Sequence, residues 1–210
     1  FKKDEELLIK SDVQKVLSHI NERIYSHISE WLSPGVQCMD TSIGSGQQRQ
    51  IARLAFFCEY ETILETLKNK LNRLESLEDS SIKGKLPSLN IVLVFSIAGG
   101  TGSGTFVDMA FLLRYLLRNT TNRVNINSHI IMPDVFSKLK VDKDRIYSNG
   151  YAALKELEFF MTSVNLFEFQ WKYCENAVIK SHIFDECNIL SGSRYNSKPF
   201  KDMYEVFDMT

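Results

Sequence analysis

Apolar residues recur at Val13, Val16, Leu17, Ile20, Ile24, Ile28, Trp31 and Leu32, the three-and-four spacing of one helix face. Ser11 or Asp12 caps such a helix, and Pro34-Gly35 stops it. A second helical pattern starts around Gln47-Gln48-Arg49-Gln50 and runs to about Leu77, with leucines at positions 64, 67, 71 and 74. That stripe lasts only a few turns, which predicts packing on a core rather than a coiled coil. Polar residues over 80–88, with Gly84 and Pro87, read as a surface loop. Residues 89–97 are nearly all apolar, the pattern of a central parallel strand covered on both faces. A further helix opens at about Phe106 and sets Phe106, Ala110, Leu113 and Leu117 on one face. Its first turn carries Asp108 and its last turn Arg114 and Arg118, both favourable to the helix dipole.

Beyond it, residues 125–132 form another strand pattern ended by Pro133-Asp134, and 134–146 are charged and irregular. SNGYAALKELEFFM, 148–161, predicts a helix, and 164–171 and 183–190 read as strands. FEFQWKY alternates as a half-buried strand does. A last amphipathic segment begins at Pro199. Strand, glycine-rich loop, helix, strand, helix, strand predicts a doubly wound α/β fold with a mainly parallel sheet. Ligands of such sheets bind beyond the carboxyl ends of the strands. The loop after residue 97, the Pro133-Asp134 loop and the loop after Leu190 are therefore expected to converge on one site.

Composition narrows the partners. The chain has 210 residues, enough for one large domain or two small ones. A formal net charge of −1 gives no global field favouring nucleic acid or an anionic membrane. No apolar run approaches the length of a membrane span, and no secretory signal opens the chain. Cys38, Cys58, Cys174 and Cys187 are scattered without paired spacing, so they read as reduced packing residues of a cytoplasmic protein rather than metal ligands. His19 and His27 are expected at the surface or boundary of the first helix, His129 and His182 as packing residues of strands. The start at Phe1 reads as an internal fragment of a longer polypeptide.

The chemistry concentrates in residues 98–105, AGGTGSGT. Glycines allow a tight turn and close approach to a ligand. The first amides of the following helix lack intrahelical partners, and the dipole adds partial positive charge. With hydroxyls on Thr101, Ser103 and Thr105, the loop is an anion cradle suited to phosphate. It is not a Walker A loop, because no lysine lies between Lys85 and Lys138. A dinucleotide fingerprint would need glycine where Thr105 or Val107 stands, and Asp134 is too distant for the ribose acid.

Ala98 to Gly104 match every position of the tubulin signature, and two further segments follow the family order. GSGQQRQIARLAF, 44–56, resembles the loop and helix that approach a terminal phosphate; NGYAALKEL, 149–157, resembles the helix after the ribose-contacting loop. The chain thus resembles the nucleotide-binding domain of the tubulin superfamily, in detail the prokaryotic tubulin-like proteins. The resemblance covers roughly 40–210, leaving 1–40 as an additional helical segment and 41–210 as part of the nucleotide-binding domain.

That resemblance implies GTP or GDP as ligand, with Mg2+ carried by the nucleotide. It implies Ser45, Gly46 and Gln47 near a γ-phosphate, and the loop from Ala98 through Gly99, Gly100, Thr101, Gly102, Ser103, Gly104 and Thr105 around the phosphates. Ile146 stands where the family often places a ribose-contacting acid, with Asp142 or Asp144 as substitutes. Arg145 is positioned to neutralise phosphate charge, Asn149 heads the family-like helix, and Asn188 or Asn196 would read the base, Asn196 being favoured for its place in a loop. The first phosphate loop of the family would precede Phe1, and the acid-bearing hydrolysis loop would lie beyond Thr210. The family expectation is head-to-tail assembly with GTP hydrolysis in the polymer. A non-polymerising GTP-binding scaffold or sensor is the alternative, and a dinucleotide-dependent Rossmann enzyme a remote one.

Overall fold

The computed structural model describes residues 13–37, 45–78, 88–120, 123–162 and 166–193. Ser11, Asp12, Cys38, Asn196 and the segment from Pro199 lie outside these described residues.

Three strands form the main sheet, all parallel: β1 (Ser88–Ser96), β2 (Arg123–Ile131) and β5 (Glu186–Leu190), in the order β1-β2-β5. Ser88 pairs with Arg123 and Ser96 with Ile131, so β1 and β2 end together. Helix α5 (Gly100–Leu117) carries the chain from β1 to β2 and packs on β1 and on α6 (Lys143–Thr162), which follows β2. The fold class read from the sequence is therefore the one observed. The strand expectation needs correction, however. Ile91, Leu93 and Phe95 turn to the core, and Phe95 stacks on Phe106 of α5 with ring centroids 5.1 Å apart. Val92 and Val94 on the other face are 49% and 51% exposed. Among the described residues β1 is an edge strand covered on one face only.

The expected first helix is broken into α1 (Val13–Ser18), a 3-10 turn (Arg23–Tyr25) and α2 (Ser26–Ser29). Ser18 Oγ donates to the Lys15 carbonyl at 2.8 Å, and His19 Nδ1 lies 2.8 Å from the same oxygen. Such local side-chain bonds compete with helix continuation. Val13, Ile28 and Leu32 nevertheless reach the same core as the rest of the described chain, so the N-terminal segment is packed on the α/β unit.

The long second helix is two: α3 (Arg49–Cys58) and α4 (Tyr60–Glu78), parted at Glu59, whose φ of −102° and ψ of 13° leave the helical basin. Leu64 and Leu67 pack on the core, but Leu74 is 45% exposed, so the leucine stripe runs off it. Helix α6 starts earlier than expected because Asp142 caps it, Oδ1 accepting the Arg145 amide at 3.1 Å.

FEFQWKY does alternate: Phe167, Phe169 and Trp171 of β3 (Phe167–Lys172) are buried. Its partner β4 (Glu175–Ile179) was not foreseen, and the two form a separate antiparallel hairpin. Phe169 lies 4.7 Å from Phe111 of α5, ring to ring. The run expected to form a strand over 183–190 pairs only from Glu186, with Ile183 and Phe184 fully buried ahead of it.

Two histidines fall elsewhere than expected. His27 is 8% exposed and stacked on Phe57, whereas His182 is exposed and outside any strand. Cys58 and Cys187 are half-buried, as packing residues are, but Cys174 is exposed in the hairpin turn. No helix among the described residues is long and apolar enough to cross a membrane.

Candidate functional site

Where β1 ends, Gly99 takes an extended conformation (φ −86°, ψ 176°) and α5 begins without any side chain capping its first amides. These amides face a cavity of about 720 Å3. Ser45, Gly46 and Gln47 form one wall, Gly99 to Gly102 with Thr105 another, and Leu93, Val94, Phe106 and Met109 an apolar end. No charged side chain is among its described lining residues. Attraction for an anion would come from the backbone amides and dipole at the start of α5, with neutral hydroxyls beside them.

The glycines divide into two kinds. A Cβ at Gly99 would meet nothing. At Gly100 it would overlap Ser45 Oγ and come within 2.7 Å of the Gln48 amide nitrogen. At Gly102 it would overlap the Ser96 carbonyl oxygen, and at Gly104 the Arg49 carbonyl oxygen. Three of the four glycines therefore let α5 sit directly on the end of β1 and the start of α3.

The hydroxyls are also not all available. Ser103 is fully buried and donates to the Gly99 carbonyl, so it braces the loop from within. Thr105 donates to the Thr101 carbonyl at 2.9 Å, leaving exposed Thr101 as the hydroxyl best placed at the cavity. Ala98 is buried and supplies only structure.

The facing wall is a tight turn. Gly46 and Gln47 have φ of +57° and +61°, and the Gln48 amide closes the turn onto the Ser45 carbonyl at 2.9 Å. Left-handed backbone costs a residue with a Cβ roughly 1–2 kcal/mol. Two side chains of α6 grip this turn. Asn149, 9% exposed, donates both Nδ2 hydrogens, to the Gln47 carbonyl at 2.9 Å and the Ala98 carbonyl at 3.1 Å. Arg145 Nη1 donates to the Gly46 carbonyl at 3.3 Å.

The other sequence-derived candidates do not line the cavity. Ile146 is 2% exposed and belongs to the interior. Asp142 is engaged as the α6 cap, and Asp144 is exposed in that helix's first turn. Asp134 accepts from Ser191 Oγ at 2.6 Å and from the Gly192 amide at 2.9 Å, so the two later loops meet each other there. Asn188 is exposed within β5, opposite His129.

The residues that fasten the site from behind were missed as such. Arg49 donates to the Ser103 carbonyl at 3.1 and 2.8 Å and pairs with Glu156. One turn on, Arg53 holds Asp108 at 2.8 and 3.2 Å and lies over the Trp31 ring at 4.5 Å. Asp108, 1% exposed, also accepts from Trp171 Nε1 at 2.9 Å. The four-residue spacing of the two arginines was the available signal, since it places them on one helix face.

No curated protein and no solved structure matches the chain. One family model does, that of the tubulin-like proteins, over residues 2–209. The matched region takes in the N-terminal helical segment together with the parallel sheet and its glycine-rich loop. On that extent of agreement, the chain belongs to the tubulin-like family.

Proposed function

We propose that this chain binds a guanine nucleotide, and that its full-length form is a GTPase that assembles head to tail. The observation that carries the reading is the uncapped N-terminus of α5 opening on a 720 Å3 cavity within a tubulin-like domain. The α- and β-phosphates would lie against the amides of Gly99 to Thr101, with Thr101 Oγ1 as a further donor. The terminal phosphate would face Ser45, Gly46 and Gln47. No acid lines the described walls, which suits Mg2+ held by the phosphates rather than by the protein. The preference for guanine follows from the family resemblance. The test is a fluorescent-GTP titration of the full-length protein with ATP and NAD as competitors. Displacement by GTP alone is expected; displacement by NAD alone, or no binding, would overturn the reading.

Buried Ile146, at the position where the family often has a ribose-contacting acid, favours a second reading: a GTP-binding scaffold that does not polymerise. Sedimentation with GTP distinguishes the two, since only the assembling form pellets in a nucleotide-dependent way.

A further inference from the structure

The Gly46–Gln47 turn holds two successive residues in left-handed backbone, one of which has a side chain. Its carbonyls at positions 46 and 47 are both taken by α6, through Arg145 and Asn149. Asn149 is the more telling of the two. Its other Nδ2 hydrogen goes to Ala98, on the loop that opens α5 across the cavity. A single buried amide thus ties the two phosphate-facing walls together. Its orientation is fixed chemically, because the reverse rotamer would set Oδ1 against two carbonyl oxygens. With both hydrogens engaged, none is left to donate to a ligand.

From this geometry we infer that Asn149 is a positioning residue that sets how tightly a nucleoside triphosphate is preferred over a diphosphate. This deepens the nucleotide reading above and rests on it. Releasing Asn149 leaves the α5 amides where they are, because Gly102 and Gly104 seat that helix on the Ser96 carbonyl of β1 and the Arg49 carbonyl of α3. It frees the Gln47 and Ala98 carbonyls, but the loop at Ala98 is still held by Ser96 Oγ and Ser103 Oγ. The turn, by contrast, relaxes from its strained backbone, so the wall that meets the terminal phosphate is the one lost. Arg145 supports the same turn from its exposed side and contributes less, through one longer bond.

The experiment is displacement of fluorescent GTP by unlabelled GTP and by GDP, on the full-length protein and its Asn149→Ala and Arg145→Ala variants. Asn149→Ala is expected to weaken GTP binding by about tenfold, the scale of the one lost bond that holds the turn, at Gln47, and its orphaned carbonyl. GDP affinity should stay close to wild type. Arg145→Ala should shift the same ratio in the same direction by a smaller factor. Equal loss of GTP and GDP in Asn149→Ala would overturn the inference, as would an unchanged ratio. If Asn149→Ala does not fold, the exposed Arg145→Ala decides: a smaller GTP-to-GDP preference supports the inference, and an unaltered one overturns it. A wild-type protein that binds neither nucleotide would instead bring down the nucleotide reading itself, a result plainly different from either.

Discussion

A methyl group added at Gly102 would overlap the Ser96 carbonyl, whereas one added at Gly99 would enter open space. Binding should therefore fall at both positions, but the fold at Gly102 only. Gly99→Ala is expected to leave unfolding stability within about 0.5 kcal/mol, as for a surface change, while its new methyl crowds the phosphate position and lowers GTP affinity. Gly102→Val is expected to lose the helical circular-dichroism signal along with binding, because the seat of α5 on β1 cannot hold a side chain. The motif AGGTGSG was legible from sequence as the turn from a strand into a helix. The division of labour within it was not, because that depends on Ser45 and Arg49, which fold onto the loop from far away in the chain, and on how α5 turns back over Ser96. The sequence places Asn149 at the head of the family-like helix, but its bonds to two carbonyls arise from tertiary packing that no local pattern carries.

Helices α3 and α5 are joined by a charged seam on the side away from the cavity. Asp108 is 1% exposed, and its carboxylate takes hydrogen bonds from both Arg53 and Trp171. Removing one member of a buried pair typically costs about 3–5 kcal/mol. Asp108→Ala is expected at the lower end, because the Arg53 side chain is 30% exposed and regains some hydration. Urea unfolding checks this: the midpoint should fall with the slope unchanged. Elements were legible in proportion to their length and regularity. The apolar runs of β1, β2 and the largely buried α5 stood out, as did the pattern of α6; β4 has only Ala177 and Ile179 buried and left little trace. Helix ends were set by particular local bonds, at Ser18 and Asp142, that periodicity does not register.

Across the described chain one core joins the N-terminal segment to the sheet, and His27 sits in that junction. Burial pushes its imidazole below the ordinary 6.5, against the opposing pull of the Glu30 charge and the Ile24 backbone. As pH falls through 6.5 the unfolded chain takes up this proton before the folded one does, so stability declines from there down to the folded value. The melting temperature should accordingly be lower at about pH 5.5 than at about pH 7.5. His27→Leu should flatten that difference, and a variant with the wild-type slope would refute the assignment to His27. The seating of α5 also bears on how such chains diverge. Gly100, Gly102 and Gly104 answer to the scaffold, so a descendant that abandoned nucleotide would still be obliged to keep them. Drift would begin at Gly99 and Thr101, which owe nothing to packing, and those two letters are the ones whose loss in a homologous gene would announce a retired site.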